Sequence, residues 1–164
     1  MQKLISKPRS FTGLFFGCFM LLSFPTLADW QAQIEQLIQN KKQPEGVVFE
    51  IVSRQQSLLQ DLLPPLQKQI KRLKKQYPSL DIAVVTHGRE QFALMSNKAN
   101  QYQQSHQAVK SLLADDVNVH VCGTFAEMKN IAAEAFPDYV DVAAEGPALI
   151  KDYISLGYIK IRVK

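Results

Sequence analysis

Two residues in this chain have the type and setting to do chemistry. Cys122 follows the apolar run Val117-Asn118-Val119-His120-Val121 and is followed by Gly123. His87 follows the run Ile82-Ala83-Val84-Val85-Thr86 and is followed by Gly88. Each run reads as a strand, so both side chains belong at strand ends, where open α/β sheets gather their ligands. A thiolate there is a nucleophile or a sulfur carrier, and a neighbouring imidazole completes a recognised Cys–His arrangement. His120 alternates with Val119 and Val121, so it shares a strand face with Cys122 two residues deeper. Gly123 permits a turn, and Thr124 with Glu127 three residues on is a capping-box pattern. A helix beginning near residue 125 would then turn its positive end toward the thiol. The competing reading of Cys122 is a small, packed apolar side chain. Nothing else has comparable spacing. The three histidines and the cysteine form no metal-ligand pattern, so no metal and no cofactor is expected. There is no P-loop, no dinucleotide fingerprint and no serine elbow.

The compartment bears on that thiol. Lys3, Lys7 and Arg9 precede an uncharged, largely apolar stretch from 11 to 24, and Thr26-Leu27-Ala28 closes it. This is the layout of a secretory signal peptide, with cleavage expected after Ala28. The alternatives are an uncleaved anchor or a lipid on Cys18. The apolar run falls short of the ~20 residues a spanning helix needs, and Phe15 and Phe16 suit a lipoprotein site poorly. Cleavage leaves residues 29–164, with no stable membrane span, in the periplasm or outside the cell. Three of the four net positive charges go with the leader, so the basic balance is poor support for a nucleic-acid partner. Cys122 is then the sole cysteine of an exported chain. It is either a free reactive thiol or an intermolecular link.

The elements that position these residues alternate along the chain. Residues 29–40 read as a short amphipathic helix capped by Asp29, and 41–46 as a linker. A buried strand follows at 47–52, with Glu50 at its margin. Leu58, Leu59, Leu62 and Leu63 begin a helix that Pro64-Pro65 should interrupt, with a second helix starting near Pro65. Its basic positions, including Lys68, Lys71 and Lys75, read as a solvated face. The strand ending at His87 comes next, then a short helix or ordered loop around Phe92. Residues 97–104 read as a mobile surface segment. A helix over 105–113 would carry His106 on its surface. The helix after Glu127 should continue through Ala135 to Pro137. Tyr139 to Val142 is a short strand, Gly146-Pro147 opens a helix ending near Gly157, and 158–161 is an edge strand. This order predicts one α/β domain over 46–164: a three-layer α/β/α sandwich with a mostly parallel sheet of about five strands.

Asp81-Ile82-Ala83-Val84-Val85-Thr86-His87-Gly88, Val117-Asn118-Val119-His120-Val121-Cys122-Gly123-Thr124 and Glu145-Gly146-Pro147-Ala148-Leu149-Ile150, with Leu156-Gly157-Tyr158 near the end, together resemble the DsrE family of sulfur-relay and sulfur-oxidation proteins. The resemblance runs from about Gly46 to the C-terminus. It implies a compact α/β/α domain, assembly into homo-oligomers, and persulfide sulfur carried on Cys122 between a sulfane-sulfur donor and a partner protein thiol. His87 is the candidate assistant. Gly88, His120, Gly123, Thr124 and Gly146 are the candidate binding residues around it. Such carrier chemistry leaves open whether the protein is an enzyme. The better-known members are cytoplasmic and some serve tRNA modification, a role an exported chain does not fit. A non-catalytic binding or assembly module is the alternative.

Overall fold

The structure, a computed structural model, describes residues 30–40 and 42–164. The expected leader, its cleavage site and the Asp29 cap lie outside the described residues. Five strands form one sheet: β1 (Gly46–Ile51), β2 (Asp81–Thr86), β3 (Val117–Cys122), β4 (Asp141–Ala143) and β5 (Tyr158–Val163). Their order is β4-β3-β2-β1-β5, and every pairing is parallel. Helices α1 (Trp30–Gln39), α2 (Leu58–Gln76), α3 (Gln103–Ala114), α4 (Gly123–Glu127) and α5 (Gly146–Ser155) complete the chain with three short 3-10 turns. The result is the three-layer sandwich expected from the alternation of strands and helices.

Alternation along the strands divides the sheet into two unlike faces. Val47, Phe49 and Ile51, Ile82 and Val84, Val117, Val119 and Val121, and Ile161 and Val163 point to one side, into the main core with α1, α2 and α3. Val48, Ala83 and Val85 point to the other, where Ile150 of α5 joins them in a small second cluster edged by the partly buried Leu149, Tyr153 and Tyr158. Beyond those residues the second face carries Glu50, His87, His120, Cys122, Lys160 and Arg162.

Four local expectations are corrected. First, Pro64 and Pro65 do not break the helix: α2 runs unbroken through both. An internal proline costs about 3 kcal/mol. The stripe Leu59, Leu62, Leu63, Leu66, Ile70 and Leu73 is buried on both sides of the pair. Each such side chain contributes about 1.5–3 kcal/mol, so packing outweighs the two lost donors. Second, α4 stops at Glu127. Asn130 adopts a left-handed φ of 57°, the Ile131 N–H bonds to Ala126 O at 3.0 Å, and the Asn130 N–H bonds to Glu127 O at 2.8 Å. This is a Schellman stop with asparagine in the left-handed position. Ala133–Ala135 is a separate 3-10 turn. Third, His106 is not on the surface. It is buried, with Nε2 donating to Ala93 O at 3.1 Å and Nδ1 accepting from the Tyr139 hydroxyl. Fourth, residues 97–104 are not a plain surface segment: Ser96–Lys98 is a 3-10 turn, Tyr102 is buried, and α3 begins at Gln103. The last strand, β5, does form a sheet edge, and Gly157 ends α5 with φ 90°.

Candidate functional site

The parallel register pairs Thr86 with Val121, so the next positions, His87 and Cys122, end adjacent strands at one rim. Gly146 wedges against both. A Cβ placed on Gly146 would stand 2.9 Å from His87 Cβ and 3.2 Å from Cys122 Cβ, closer than packed carbons sit. The first turn of α5 therefore rests directly on the two candidate residues. Only glycine allows the approach.

Cys122 is 3% exposed and free. Its Sγ accepts one hydrogen bond, from the Gly146 N–H at 3.3 Å. Gly146 opens the ten-residue α5, so the helix start facing the sulfur belongs to α5. The sequence assigned that role to the helix following Cys122, and the assignment is corrected. That helix has only five residues, and Cys122 itself stands at its N-cap. Thr124 does not cap it. Its N–H and its hydroxyl both donate to Ala144 O, at 3.0 and 2.7 Å. They tie α4 to the connection that leads into α5. Gly123 serves the same junction: a Cβ there would lie 3.0 Å from Ala143 O. Its φ is not left-handed, so close approach rather than a turn requires the glycine.

The backbone of Cys122 is held by a side chain that sequence reasoning missed. Gln91 is fully buried. Its Oε1 accepts from the Cys122 N–H at 2.8 Å, and its Nε2 donates to Cys122 O at 3.1 Å. The amide thus fills both backbone positions that a further strand residue would occupy. A lone glutamine in a polar stretch gives no sequence signal for this. Glu90, beside it, was also missed. Buried completely, its carboxylate accepts from the Ser53 N–H at 2.6 Å, the Thr86 hydroxyl at 2.6 Å and the Gly88 N–H at 2.8 Å. Three donors satisfy a charge that would otherwise be costly to bury. The carboxylate also clamps the loops after β1 and β2 together. Gly88 has its role here, because a Cβ would fall 2.3 Å from Glu90 Oε2 and 2.4 Å from Ser53 O.

His87 reaches the rim but turns toward β1. Its Nε2 donates to Glu50 Oε1 at 3.0 Å, and no hydrogen bond joins it to the thiol. Glu50 is nearly buried, and burial alone would raise its pKa. The His87 hydrogen bond and the charges of Lys160 and Arg162 outweigh that and hold it below the usual carboxylate range. Lys160 Nζ and Arg162 Nε stand 3.5 and 3.8 Å from Oε2, within ion-pair reach. His120 sits deeper on the same face, as its spacing implied. Its Nδ1 donates to Asp141 at 2.5 Å, and Nε2 then accepts from the Tyr153 hydroxyl at 3.0 Å. These partners are side chains on β4 and α5, so His120 joins three elements. Among the described residues no group of three His, Cys, Asp or Glu side chains converges to hold a metal ion.

No protein-family model matches the chain, and no curated protein matches it. Solved structures do. The structure is similar to that of MTH1491, a protein of unknown function from Methanobacterium thermoautotrophicum, with a TM-score of 0.58 and 20% identity, covering 71% of this chain and 96% of that one. It is also similar to the ychN protein from E. coli, with a TM-score of 0.51 and 17% identity, covering 71% of this chain and 98% of that one. At such identities the likeness is one of fold, and the shared fold is the three-layer one that the DsrE resemblance implies.

Proposed function

We propose that this chain is an exported DsrE-like sulfur carrier that holds persulfide sulfur on Cys122. The observation that supports the reading most is the setting of the thiol. It lies at a strand end under the first turn of α5, with the Gly146 N–H directed at Sγ and the Gln91 amide holding its backbone. The N–H gives the sulfur a hydrogen-bond partner at the start of α5, and the amide fixes the strand end that carries it. In the carrier step, the Cys122 thiolate attacks the terminal sulfur of a sulfane donor. The donor's S–S bond breaks, the donor leaves as a thiolate, and Cys122 holds a persulfide. A partner thiolate then attacks the outer sulfur, takes it as its own persulfide, and returns Cys122 as thiolate. No net oxidant is consumed.

The same location supports a second reading, a binding or assembly module whose cysteine only packs. Its supporting observation is the near-complete burial of Cys122. Carrier chemistry therefore requires the first turn of α5 to lift away from the rim. The two readings part on one experiment. Native protein is incubated with inorganic polysulfide, and intact mass is recorded with and without a reducing wash. The carrier gains one reducible sulfur on Cys122, and Cys122→Ser gains none while keeping its fold. If labelling occurs only after denaturation, the binding module replaces the carrier.

Export and self-assembly belong to the same proposal. Amino-terminal sequencing of the native protein should begin at Asp29, and an intact Met1 would overturn export. Among the described residues no helix is long and apolar enough to cross a membrane. Ile154 at 45% and Ile159 at 39% exposure leave apolar surface on the final helix and strand. A second copy would cover it. Light scattering should give more than the monomer mass at micromolar concentration.

A further inference from the structure

We propose that the chain binds a small organic anion, a phosphate monoester or a chemically similar dianion, in a cleft beside the thiol. The strand order points to the place. β1 and β2 are neighbours, and the segments 52–54 and 87–89 follow their C-terminal ends, the edge where ligands of open parallel sheets bind. A cleft of about 530 Å³ lies there, within the range of small-molecule sites.

Its chemistry selects an anion. Arg54 after β1, Arg89 after β2, Lys129 after α4 and Arg162 on β5 converge on the cleft from four separate stretches of chain, and no carboxylate lines it. The neighbouring acids are already engaged. Glu90 faces inward onto its three donors. Glu50 faces His87 and the β5 cations, and reaches only Arg162 among these four, at 3.8 Å. Among the described residues no ion pair joins Arg54, Arg89 or Lys129 to an acid. Three uncompensated cations around one concavity repel each other and concentrate a multiply charged anion. Two of them are arginines, whose planar forks match an oxyanion. Phe125, stacked on Phe92 with ring centroids 5.6 Å apart and with Lys129 Nζ 5.7 Å from its own centroid, lines the same cleft with Val52, and the two supply its apolar surface. Cys122 is not part of the lining, so this site stands whether or not the thiol carries sulfur.

The test is calorimetric titration of the purified protein with phenyl phosphate and with inorganic phosphate. Phenyl phosphate should bind saturably, one per chain, and more tightly than inorganic phosphate. Arg54→Ala and Arg89→Ala are exposed positions and should keep the fold. Each should weaken binding about tenfold, the weight of a charge-assisted hydrogen bond. Phe125→Ala should erase the preference for the phenyl ester, and Cys122→Ser should bind as the parent does. Absence of saturable binding would overturn the site. So would an equal loss on Lys68→Ala/Lys71→Ala/Lys75→Ala, which removes charge from the remote face of α2 and would mean diffuse attraction. Equal affinity for the two phosphates would overturn the organic ligand.

Discussion

The two faces of the sheet are built from the same five strands and by opposite rules. One face carries branched aliphatic residues under three helices and a continuous apolar core. The other sets three buried apolar residues, Val48, Ala83 and Val85, against Ile150 of one helix, and it also carries Glu50, His87, His120, Lys160 and Arg162. The first face supplies the burial a chain of this size needs to fold. The second spends part of its area on groups that hydrogen-bond, titrate and leave space. Candidate chemistry collects where, among the described residues, one helix covers the sheet, because a second covering helix would fill that space with side chains.

Substitutions that treat the two faces alike test this contrast. Leu66→Ala, in the middle of the fully buried α2 stripe, should cost about 2–5 kcal/mol in chemical denaturation. A loss under 1 kcal/mol would mean that the main core does not carry the fold. Gln91→Ala leaves the Cys122 N–H and carbonyl without partners. Unsatisfied buried groups cost about 1–3 kcal/mol, and alkylation of Cys122 should quicken as the strand end loosens; unchanged stability and unchanged alkylation together would remove Gln91 from the site. Gly146→Ala pushes α5 off His87 and Cys122. Overpacking of this kind costs about 1–3 kcal/mol, with thiol accessibility rising in the same variant. If stability falls while the thiol stays closed, the α5 turn is not the cover over Cys122.

The smaller effects concern charge. Burial lowers the His106 pKa from 6.5, the Ala93 hydrogen bond opposes that, and Lys110 adds to the lowering. The folded state then binds a proton less readily than the unfolded state. The stability His106 contributes is full above about pH 6.5 and is lost as pH falls toward the lowered value. His106→Gln should flatten that limb of the stability–pH curve, and an unaltered slope would show that the histidine is not held neutral. Lys160→Ala, at an exposed edge-strand position on the charged face, should change stability by no more than about 0.5 kcal/mol. A loss comparable to Leu66→Ala would erase the distinction between the faces.

Patterning decided much of this molecule before any contact formed. The period of the apolar residues, with their turn signals, implies about five strands in a mostly parallel sheet and puts Cys122 and His87 each at a strand end; the pairing of β2 with β3 made them neighbours. The strands and their ends follow from local geometry, since successive side chains alternate across a strand, and paired parallel neighbours then end together. Where the sequence misled, a non-local energy prevailed over a local preference. Packing of the α2 stripe carried the helix through Pro64 and Pro65. A left-handed Asn130 ended α4 early, and the helix start facing Cys122 is that of α5, in a different part of the chain, because the Gly146 N–H meets Sγ there. Glu90, Gln91 and Glu50 looked like ordinary polar residues in the sequence. Each gained its role only when donors from distant strands and loops met it in a buried place. A hydrogen-bond partner far away in the chain leaves no periodicity behind, so tertiary structure alone decided what surrounds the thiol.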